Sequence, residues 1–415
     1  MLLSAYACEP GRGSEPGVGW NWAIQAARFA EVWVITRANN REVIEKALPN
    51  LPCGDRIHFV YVDLPYCLRF WKRGERGIHL YYTMWQLYVG LTALKLHRRI
   101  GFDVAQHVTF ANAWMPSYLW ILKIPFIFGP VGTNLLIPRR FTKLFTFKER
   151  LENCVRRVLV WCSLRFRPDL LITTSKADVI LCNSGGVRDI FPARLRKKTQ
   201  ICWQNGVESR GRGSVETDCQ AMTSTGRFRV LSVGRLVYHK GYELALRGFA
   251  ASNLGEGAEY IIIGEGPWQQ RLEALASELG VEGRIRFLGK LSQDEVFEEM
   301  RKSDVFLFPT FESAGMVVME AMSCGLPSVS LDWGGPQEYL CEDSGIRIAF
   351  GEPEQVVRDL GRALRKLVED EDYRYRLSEG ALERCRSRFE WRHRGNFLAG
   401  IVDELVTDGA KSDSF

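Results

Sequence analysis

Four residues in the second half of the chain have the types and spacing to hold a polyphosphate and the groups attached to it. Arg235 and Lys240 stand five residues apart in VGRLVYHKG, directly after the apolar run RVLSV. A guanidinium offers a planar fork of donors and an ammonium a point charge, and together they suit a pyrophosphate. Taken alone, the pair reads equally well as surface cations on a loop. Glu312 and Glu320 form an E-x7-E pair further on. Two glutamates at that spacing are usually solvated. Here Glu320 lies between Met319 and Ala321 in an apolar segment, which weakens that reading. Eight residues of helix span about 12 Å. One carboxylate is therefore expected to meet a sugar at one end of a pyrophosphate, and the other a ribose at the far end.

Between the two carboxylates, GMVVMEAMSCG reads as a helix that opens at Gly315 and is closed by Gly325 and Pro327. Its free first-turn amides, at Gly315, Met316 and Val317, form an anion site aided by the helix dipole. Other glycines recur at the ends of apolar runs: Gly234 after RVLSV, Gly264 and Gly266 after YIII, and Gly289 after IRFL. Glycine lets a backbone approach a ligand closely. Each of these signals is weak alone, because ordinary strand-to-helix turns also use glycine. Ligands of open α/β sheets collect at the carboxyl ends of strands, so the series is expected to ring one site.

The elements that must position these residues are short apolar runs alternating with helical patterns. In the first half, strands are expected at Leu2–Ala7, Val32–Thr36, Ile57–Val62, Val104–His107, Phe126–Phe128 and Val179–Asn183. In the second half they are expected at Arg229–Val233, Tyr260–Ile263, Ile285–Leu288, Val305–Phe308 and Ser328–Leu331. Helices fit Tyr242–Ala251, Gln269–Leu279, Gln293–Lys302 and Met316–Ser323. Such alternation predicts parallel sheets covered on both faces, and two series of it predict a two-domain α/β protein. Residues 208–226 are polar and rich in Gly, Ser and Thr, and read as a linker between a domain over 1–207 and one over 227–390. From Trp391 a helical pattern (Phe397, Leu398, Ile401, Val402) has no strand after it, so 391–415 is expected to pack on existing structure.

Composition agrees with a folded protein: 415 residues, 46% apolar and 25% charged, exclude disorder as the main state. The 11 cysteines include no C-x-x-C pair, which argues against a zinc ribbon or a secreted disulfide framework and for reduced, buried thiols. No charged n-region precedes the first strand, so a cytoplasmic location is expected. The strand opens abruptly at Met1, and a few preceding residues are expected to be missing. The uncharged run Gly77–Leu94 contains His79, Gln86 and three tyrosines, and reads as a buried or interface-facing helix more than a membrane span. Net charge is +6 but uneven: residues 1–206 hold 29 basic and 14 acidic side chains (+15), leaving −9 for the rest. The first half is expected to face an anionic partner, or to be plain solvated surface.

In order and spacing, VGRLVYHKG, IGEGP, RFLGKLS, SDVFLFPTFES and GMVVMEAMSCGLPSVSLDWGGPQE resemble the donor domain of retaining glycosyltransferases of family 4. The resemblance covers nearly all of 228–345. It implies the GT-B fold, two Rossmann-like doubly wound parallel-sheet domains facing a central cleft, with the C-terminal helix crossing back to the first. Carried over, Arg235 and Lys240 bind the donor diphosphate and Glu312 contacts donor sugar hydroxyls. Glu320 binds the ribose, and amides at Gly315, Met316 and Val317 contact sugar and phosphate. Base contacts come from the strand end at Phe287-Leu288-Gly289, which makes Leu288 a donor-binding candidate beside Gly234, Gly264 and Gly266. More loosely, CEPGRGSEPGVGWNWA resembles the first loop and helix of the acceptor domain, with Gly17 and Gly19 facing the cleft. EVWVITRANN, FDVAQHVTF and IPFIFGPVG resemble a branch associated with bacterial surface polysaccharides. Many relatives carry a histidine at the strand end that here reads Phe128-Gly129-Pro130-Val131. Its absence leaves His107 as the acceptor-side candidate, against the reading of a satisfied core histidine.

The expected reaction is glycosyl transfer from a nucleotide diphosphate sugar, a substrate and not a cofactor, to a hydroxyl of a lipid-linked or glycan acceptor with retention. No second carboxylate is evident for a double displacement, so the leaving phosphate would take the acceptor's proton. No D-x-D pair suggests a metal. A GT-B epimerase or phosphorylase, or a catalytically silent scaffold of polysaccharide assembly, are the alternatives. Two basic–aromatic stretches, Arg69-Phe70-Trp71-Lys72-Arg73 and Arg139–Arg150, suit an anionic membrane surface at the inner face of the cell membrane, or a lipid pyrophosphate. No nucleic-acid module is present, so nucleic acid is not expected as a partner.

Overall fold

Thirteen short runs pair into two wholly parallel sheets. The computed structural model describes residues 1–72, 74, 77–110, 112–133, 137, 139–208 and 227–412. The first sheet contains β1 (Leu2–Ala5), β2 (Val32–Thr36), β3 (Ile57–Tyr61), β4 (Ala105–Thr109), β5 (Phe126–Val131), β6 (Val179–Cys182) and β7 (Thr199–Ile201). The second contains β8 (Phe228–Val233), β9 (Ala258–Ile263), β10 (Ile285–Gly289), β11 (Val305–Phe308), β12 (Ser328–Leu331) and β13 (Gly345–Ile348). Their strand orders are β3-β2-β1-β4-β5-β6-β7 and β10-β9-β8-β11-β12-β13. Each order reverses once, between β1 and β4 and between β8 and β11. Loops leaving those neighbouring strands diverge to opposite faces of the sheet, which opens a crevice at their carboxyl ends.

Strands at the centre are buried on both faces, as helices on either side require. Leu2, Leu3 and Ala5 of β1 and every residue of β11 and β12 are buried. Edge strands β7 and β13 escape the apolar pattern. They read TQI and GIRI and are half exposed, a composition that discourages pairing with another chain. The helix expected at Met316–Ser323 has those bounds, and the run Gly77–Leu94 forms most of a helix over Ile78–Ile100 that buries Tyr81, Tyr82, Trp85 and Val89. Among the described residues no helix is long and apolar enough to cross a membrane. None of the ten described cysteines forms a disulfide; five are buried, but Cys67 and Cys154 are exposed, so not all are the buried thiols expected.

The chain divides into two compact units, and their border differs from the expected one. The first unit is Met1–Thr133, Val158–Asn205 and Trp391–Phe415; the second is Asn134–Arg157 and Gly206–Glu390. The last helix, Trp391–Ser412, buries Leu398, Ile401 and Val402 in the first unit's core and packs on the Ser14–Ala27 helix. The segment before Arg157 joins the second unit because Ile137, Phe141 and Phe145 are buried in that unit's core. Phe141 and Phe145 meet Phe311 edge-on, with centroids 5.1 and 6.3 Å away. Arg271 donates to Leu144 O at 2.8 Å, and Trp268 Nε1 donates to Glu149 Oε1 at 2.6 Å. Two consequences follow. Phe141 and Phe145, expected on a membrane-facing surface, are core residues. The charge contrast also shrinks: the first unit holds 25 basic and 16 acidic residues (+9), the second 30 and 33 (−3). Arg73, and all of the expected linker but Glu208, lie outside the described residues.

Candidate active site

Three loops meet at the reversal of the second sheet. After β8 the chain passes Gly234 and Arg235, makes a short turn at Tyr238–Lys240, and enters the helix Tyr242–Ser252 through Gly241. After β11 it runs through Pro309–Ala314 to the Met316–Ser323 helix. The two loops are stitched together: Phe311 N donates to His239 O at 2.9 Å, and Thr310 Oγ1 donates to the same carbonyl at 3.3 Å. Gly241 has φ +77, and a Cβ there would sit 1.9 Å from Pro309 O, so only glycine permits this approach.

That stitching brings Lys240 and Glu312 together across the switch point. Lys240 Nζ donates to Glu312 Oε2 at 2.6 Å, and both side chains keep about a fifth of their surface in solvent (17% and 20%). The ammonium also lies 5.2 Å from the Phe308 ring centroid. His239 Nε2 is 3.7 Å from the other carboxylate oxygen. Burial lowers the His239 pKa to about 4, with Glu312 opposing and Lys240, Arg156 and Arg235 reinforcing that shift. His239 is therefore neutral at pH 7, and its Nδ1 has no partner among the described residues. Arg235 is exposed and has no carboxylate partner among the described residues. The group thus holds a neutralised ion pair, a neutral imidazole and a solvent-facing guanidinium.

The Met316–Ser323 helix starts at Gly315, whose φ of 55° is left-handed and which carries no side-chain cap. First-turn amides of a helix have no intrahelical acceptor, so those at Gly315, Met316 and Val317 are available to an anion. Glu320 is half-buried on the second turn. The separation expected for the two glutamates needs correcting. Glu312 precedes the helix, in the loop, and only the four residues from Met316 to Glu320 rise helically, about 6 Å.

The glycines act mostly on neighbouring backbone. A Cβ on Gly264 (φ +134) would lie 2.0 Å from Gly234 O, and one on Gly266 2.3 Å from Leu236 O. These two residues let the loop after β9 lie flat on the loop after β8, where Leu236 N donates to Glu265 O at 2.9 Å. At Gly234 (φ +148) the missing Cβ would sit 3.6 Å from Lys240 Nζ, so glycine leaves room for the ammonium to cross the strand end. Leu288 is half-buried at the end of edge strand β10.

In the first unit the expectations fare differently. Gly17 and Gly19 lie in the Ser14–Ala27 helix, but their open sides are filled by the chain itself. A Cβ would meet Arg12 O at 2.0 Å and Ala7 O at 2.1 Å. His107, expected to reach the acceptor, is wholly buried in β4. Its Nε2 lies 3.1 Å from Tyr82 OH, its Nδ1 has no partner among the described residues, and burial lowers its pKa to about 3. A neutral histidine sealed in the core cannot touch an acceptor, so the core reading replaces the functional one. Sequence reasoning missed His239, although it stands directly before Lys240 in YHKG. It also missed Tyr242, which donates to Gly234 O at 2.8 Å and braces the loop from below.

Residues 218–384 match the family model described as Glycosyl transferases group 1. The chain is 29% identical over 224 residues to the lipopolysaccharide core biosynthesis glycosyltransferase LpsE of Rhizobium meliloti (strain 1021), covering 54% of this chain and 63% of that protein. It is 30% identical over 224 residues to the sulfoquinovosyl transferase SQD2 of Arabidopsis thaliana, covering 52% and 42% respectively. These matches span less than two thirds of the curated relatives' lengths. Among solved structures, Anabaena HepE in complex with UDP and glucose superposes with a TM-score of 0.64 at 17% identity, over 97% of this chain and 99% of that one. The fold is GT-B: two Rossmann-like units of seven and six parallel strands.

Proposed function

We propose that this protein is a retaining glycosyltransferase of family 4 that moves a sugar from a nucleotide diphosphate sugar to a hydroxyl acceptor. The observation that carries the proposal is the Lys240–Glu312 pair at the second sheet's switch point, beside the open amides of the Met316–Ser323 helix. HepE, of the same fold, holds UDP and glucose, and LpsE acts in lipopolysaccharide core biosynthesis by its name. Both support a nucleotide-sugar donor and a surface-glycan acceptor. Arg235, Lys240 and the amides at Gly315, Met316 and Val317 neutralise the diphosphate. Lys240 then shares its charge between Glu312 and the leaving phosphate. Glu312 accepts from hydroxyls of the donor sugar and Glu320 from the ribose. As the sugar–phosphate bond breaks, negative charge grows on the phosphate, and preformed donors aimed there stabilise that charge without reorganisation. The acceptor hydroxyl attacks from the same face and gives its proton to the departing phosphate, so retention needs no enzyme carboxylate as nucleophile. Neutral His239, 3.7 Å from Glu312, adds no charge beside it. The acceptor is lipid-linked or a glycan, met on the cytoplasmic side of the membrane.

The test is a thermal-unfolding screen against UDP-, GDP- and ADP-sugars, followed by nucleotide release with and without acceptor. A donor that binds only the folded state raises the unfolding temperature. Release stimulated by acceptor is expected. Nucleotide release without any glycosylated product would favour an epimerase, dependence on inorganic phosphate a phosphorylase, and no donor binding a silent scaffold.

A further inference from the structure

The stretch Arg139–Arg150 folds apart from its neighbours in sequence. Residues up to Thr133 and those from Val158 to Asn205 belong to the first unit, yet Asn134–Arg157 belongs to the second. None of the described strands lies in it, so sheet pairing does not hold it there. One carboxylate and a set of rings do. Glu149 Oε2 accepts from Thr146 N at 2.8 Å, and Glu149 N donates to Thr146 Oγ1 at 3.4 Å, a reciprocal cap that starts the helix at Phe147. The other oxygen of that carboxylate takes the 2.6 Å bond from Trp268, at the end of the loop after β9. Arg271 lies 4.5 Å over the Trp268 ring and joins Leu144 O to the buried carboxylate of Glu243, at 2.8 and 3.0 Å. Phe145, between these anchors, meets Tyr238 edge-on at 5.0 Å, Phe311 at 6.3 Å and Trp268 at 6.4 Å.

Tyr238 directly precedes His239 and Lys240, and Phe311 directly precedes Glu312. A single ring thus packs on the loop of each member of the Lys240–Glu312 pair, and on the third loop as well. We infer that Phe145, anchored by Glu149, is a positioning residue of the donor site, fixing the two loops whose approach sets the Lys240–Glu312 pair. The bonds to His239 O join these loops to each other. Phe145 and its anchors tie both to the Tyr242–Ser252 and Gln269–Glu278 helices, through Glu243 and Arg271. At the density of a packed core a ring wedged among three others has little room to move without moving them. Reacting groups need that precision, because a misplacement of about 1 Å that starts far from the chemistry costs on the order of a hundredfold. The helix that Glu149 caps also carries half-buried Arg156, whose charge is felt at His239, so the segment bears on the site electrostatically too. The role rests on the proposed donor reading of Lys240 and Glu312, but loop position is read without any transfer reaction.

The experiment compares Phe145→Leu, Phe145→Ala, Glu149→Ala and Glu149→Gln in the full chain with Phe249→Leu. The last trims another buried ring of the same core, one that meets Tyr260 of β9. Two readings are taken below each variant's unfolding temperature. One is kcat and KM with the donor found in the thermal screen. The other is titration of the His239 imidazole by NMR, which needs no substrate. Phe145→Leu and Glu149→Ala are expected to lower kcat about tenfold while donor KM stays within about threefold, because charge on the leaving phosphate grows only in the transition state. Phe145→Ala leaves a larger cavity and is expected to cost more. In all three His239 gains water, so its folded pKa is expected to rise from about 4 by about one unit or more. Glu149→Gln keeps an acceptor for Trp268 Nε1 and Thr146 N, and is expected to restore both readings. Phe249→Leu is expected to lower the unfolding temperature and move neither. Unchanged kcat with an unmoved His239 in Phe145→Leu and Glu149→Ala overturns the inference and leaves the donor reading standing. Equal losses in Phe249→Leu also overturn it, reducing Phe145 to packing. Should Phe145→Ala not fold, the leucine and Glu149 variants decide. If the wild type transfers no sugar, the donor reading falls, and the His239 titration still decides the positioning.

Discussion

At the second sheet's switch point, Lys240 and Glu312 sit 2.6 Å apart, partly in solvent, with Arg235 exposed nearby. At the first sheet's, the loop after β1 puts Tyr6 between Tyr82, Trp85 and Phe110, with centroids 5.2, 5.0 and 5.5 Å away, and His107 lies sealed beneath. Strand order is the same through six strands. One crevice is lined by groups that gain by meeting an anion; the other is plugged by aromatic rings whose burial stabilises the fold. The parallel topology therefore supplies a place for chemistry, and the loops decide whether any is done there.

The sharpest way to break this contrast is to exchange its charges for methyl groups. Arg235→Ala or Lys240→Ala is expected to lower turnover by on the order of a hundredfold or more, as for loss of one charge-stabilising donor. His107→Gln, at the corresponding place in the first sheet, is expected to leave turnover within a few-fold. Steady-state kinetics with the donor found in the thermal screen decides it. Near-normal turnover in both cation variants would sink the donor assignment, and a collapse in His107→Gln would return that residue to the site.

Each crevice also holds one histidine withdrawn from solvent, wholly for His107 and partly for His239, and pH separates them from ordinary surface histidines. The folded pKa is about 3 for His107 and about 4 for His239, both lowered by burial from the usual 6.5. The unfolded chain thus takes up a proton near pH 6.5 that the folded chain refuses. Stability is fully present above 6.5 and falls as pH drops toward the folded values. At pH 5 each histidine removes about 2 kcal/mol relative to neutral pH, from 1.36 kcal/mol per unit. In His107→Gln the loss of stability from pH 7 to 5, read by urea unfolding, is expected to shrink by about that amount. An unchanged slope would mean that His107 is not a buried neutral group.

The second crevice was legible in the sequence and the first was not, for a physical reason. Charged and glycine residues are conspicuous at the ends of apolar runs, so Arg235, Lys240, Glu312 and Gly315 announced their loops directly. Strands of the central sheet announced themselves too, because burial on both faces demands uninterrupted apolar runs. Edge strands TQI and GIRI gave no such signal. Nor did the transfer of the segment before Arg157 to the second unit, since Phe141 and Phe145, interleaved with cations, are spelled like a membrane-facing surface and yet are buried in that unit's core. The same silence made His107 look available: a strand-end histidine and a core histidine have one spelling.

A smaller effect tests whether the two glutamates divide the donor between them. Glu320→Ala is expected to weaken binding of the free nucleotide diphosphate by about tenfold, the scale of one charged hydrogen bond. Glu312→Ala is expected to spare that affinity and impair sugar transfer. Isothermal titration with the nucleotide alone reads the first, product formation the second. Equal loss of nucleotide affinity in both variants would refute the division, and would point to Glu312 acting only through its hold on Lys240.

The smallest expected effect asks whether a buried aromatic at the second site serves chemistry or only packing. Tyr242 is wholly buried and donates to Gly234 O at 2.8 Å, under the strand end that Lys240 crosses. Trp85 is its counterpart in the first unit, equally buried, donating to Val62 O at 2.7 Å where the chain leaves β3. Tyr242→Phe leaves one carbonyl unpaired and keeps the ring, so stability is expected to fall by about 1–2 kcal/mol. Trp85→Phe removes a similar bond plus part of a ring and costs at least as much. Stability alone therefore cannot tell the two apart, but affinity can. If Tyr242 holds Gly234 and Lys240 in register with the incoming diphosphate, KM for the donor rises a few-fold in Tyr242→Phe while kcat is kept. Trp85→Phe, behind the aromatic plug, changes neither constant once the protein is folded. A donor KM unmoved by Tyr242→Phe would reduce that tyrosine to packing. The site's distinction from the first crevice would then rest on its charged side chains alone.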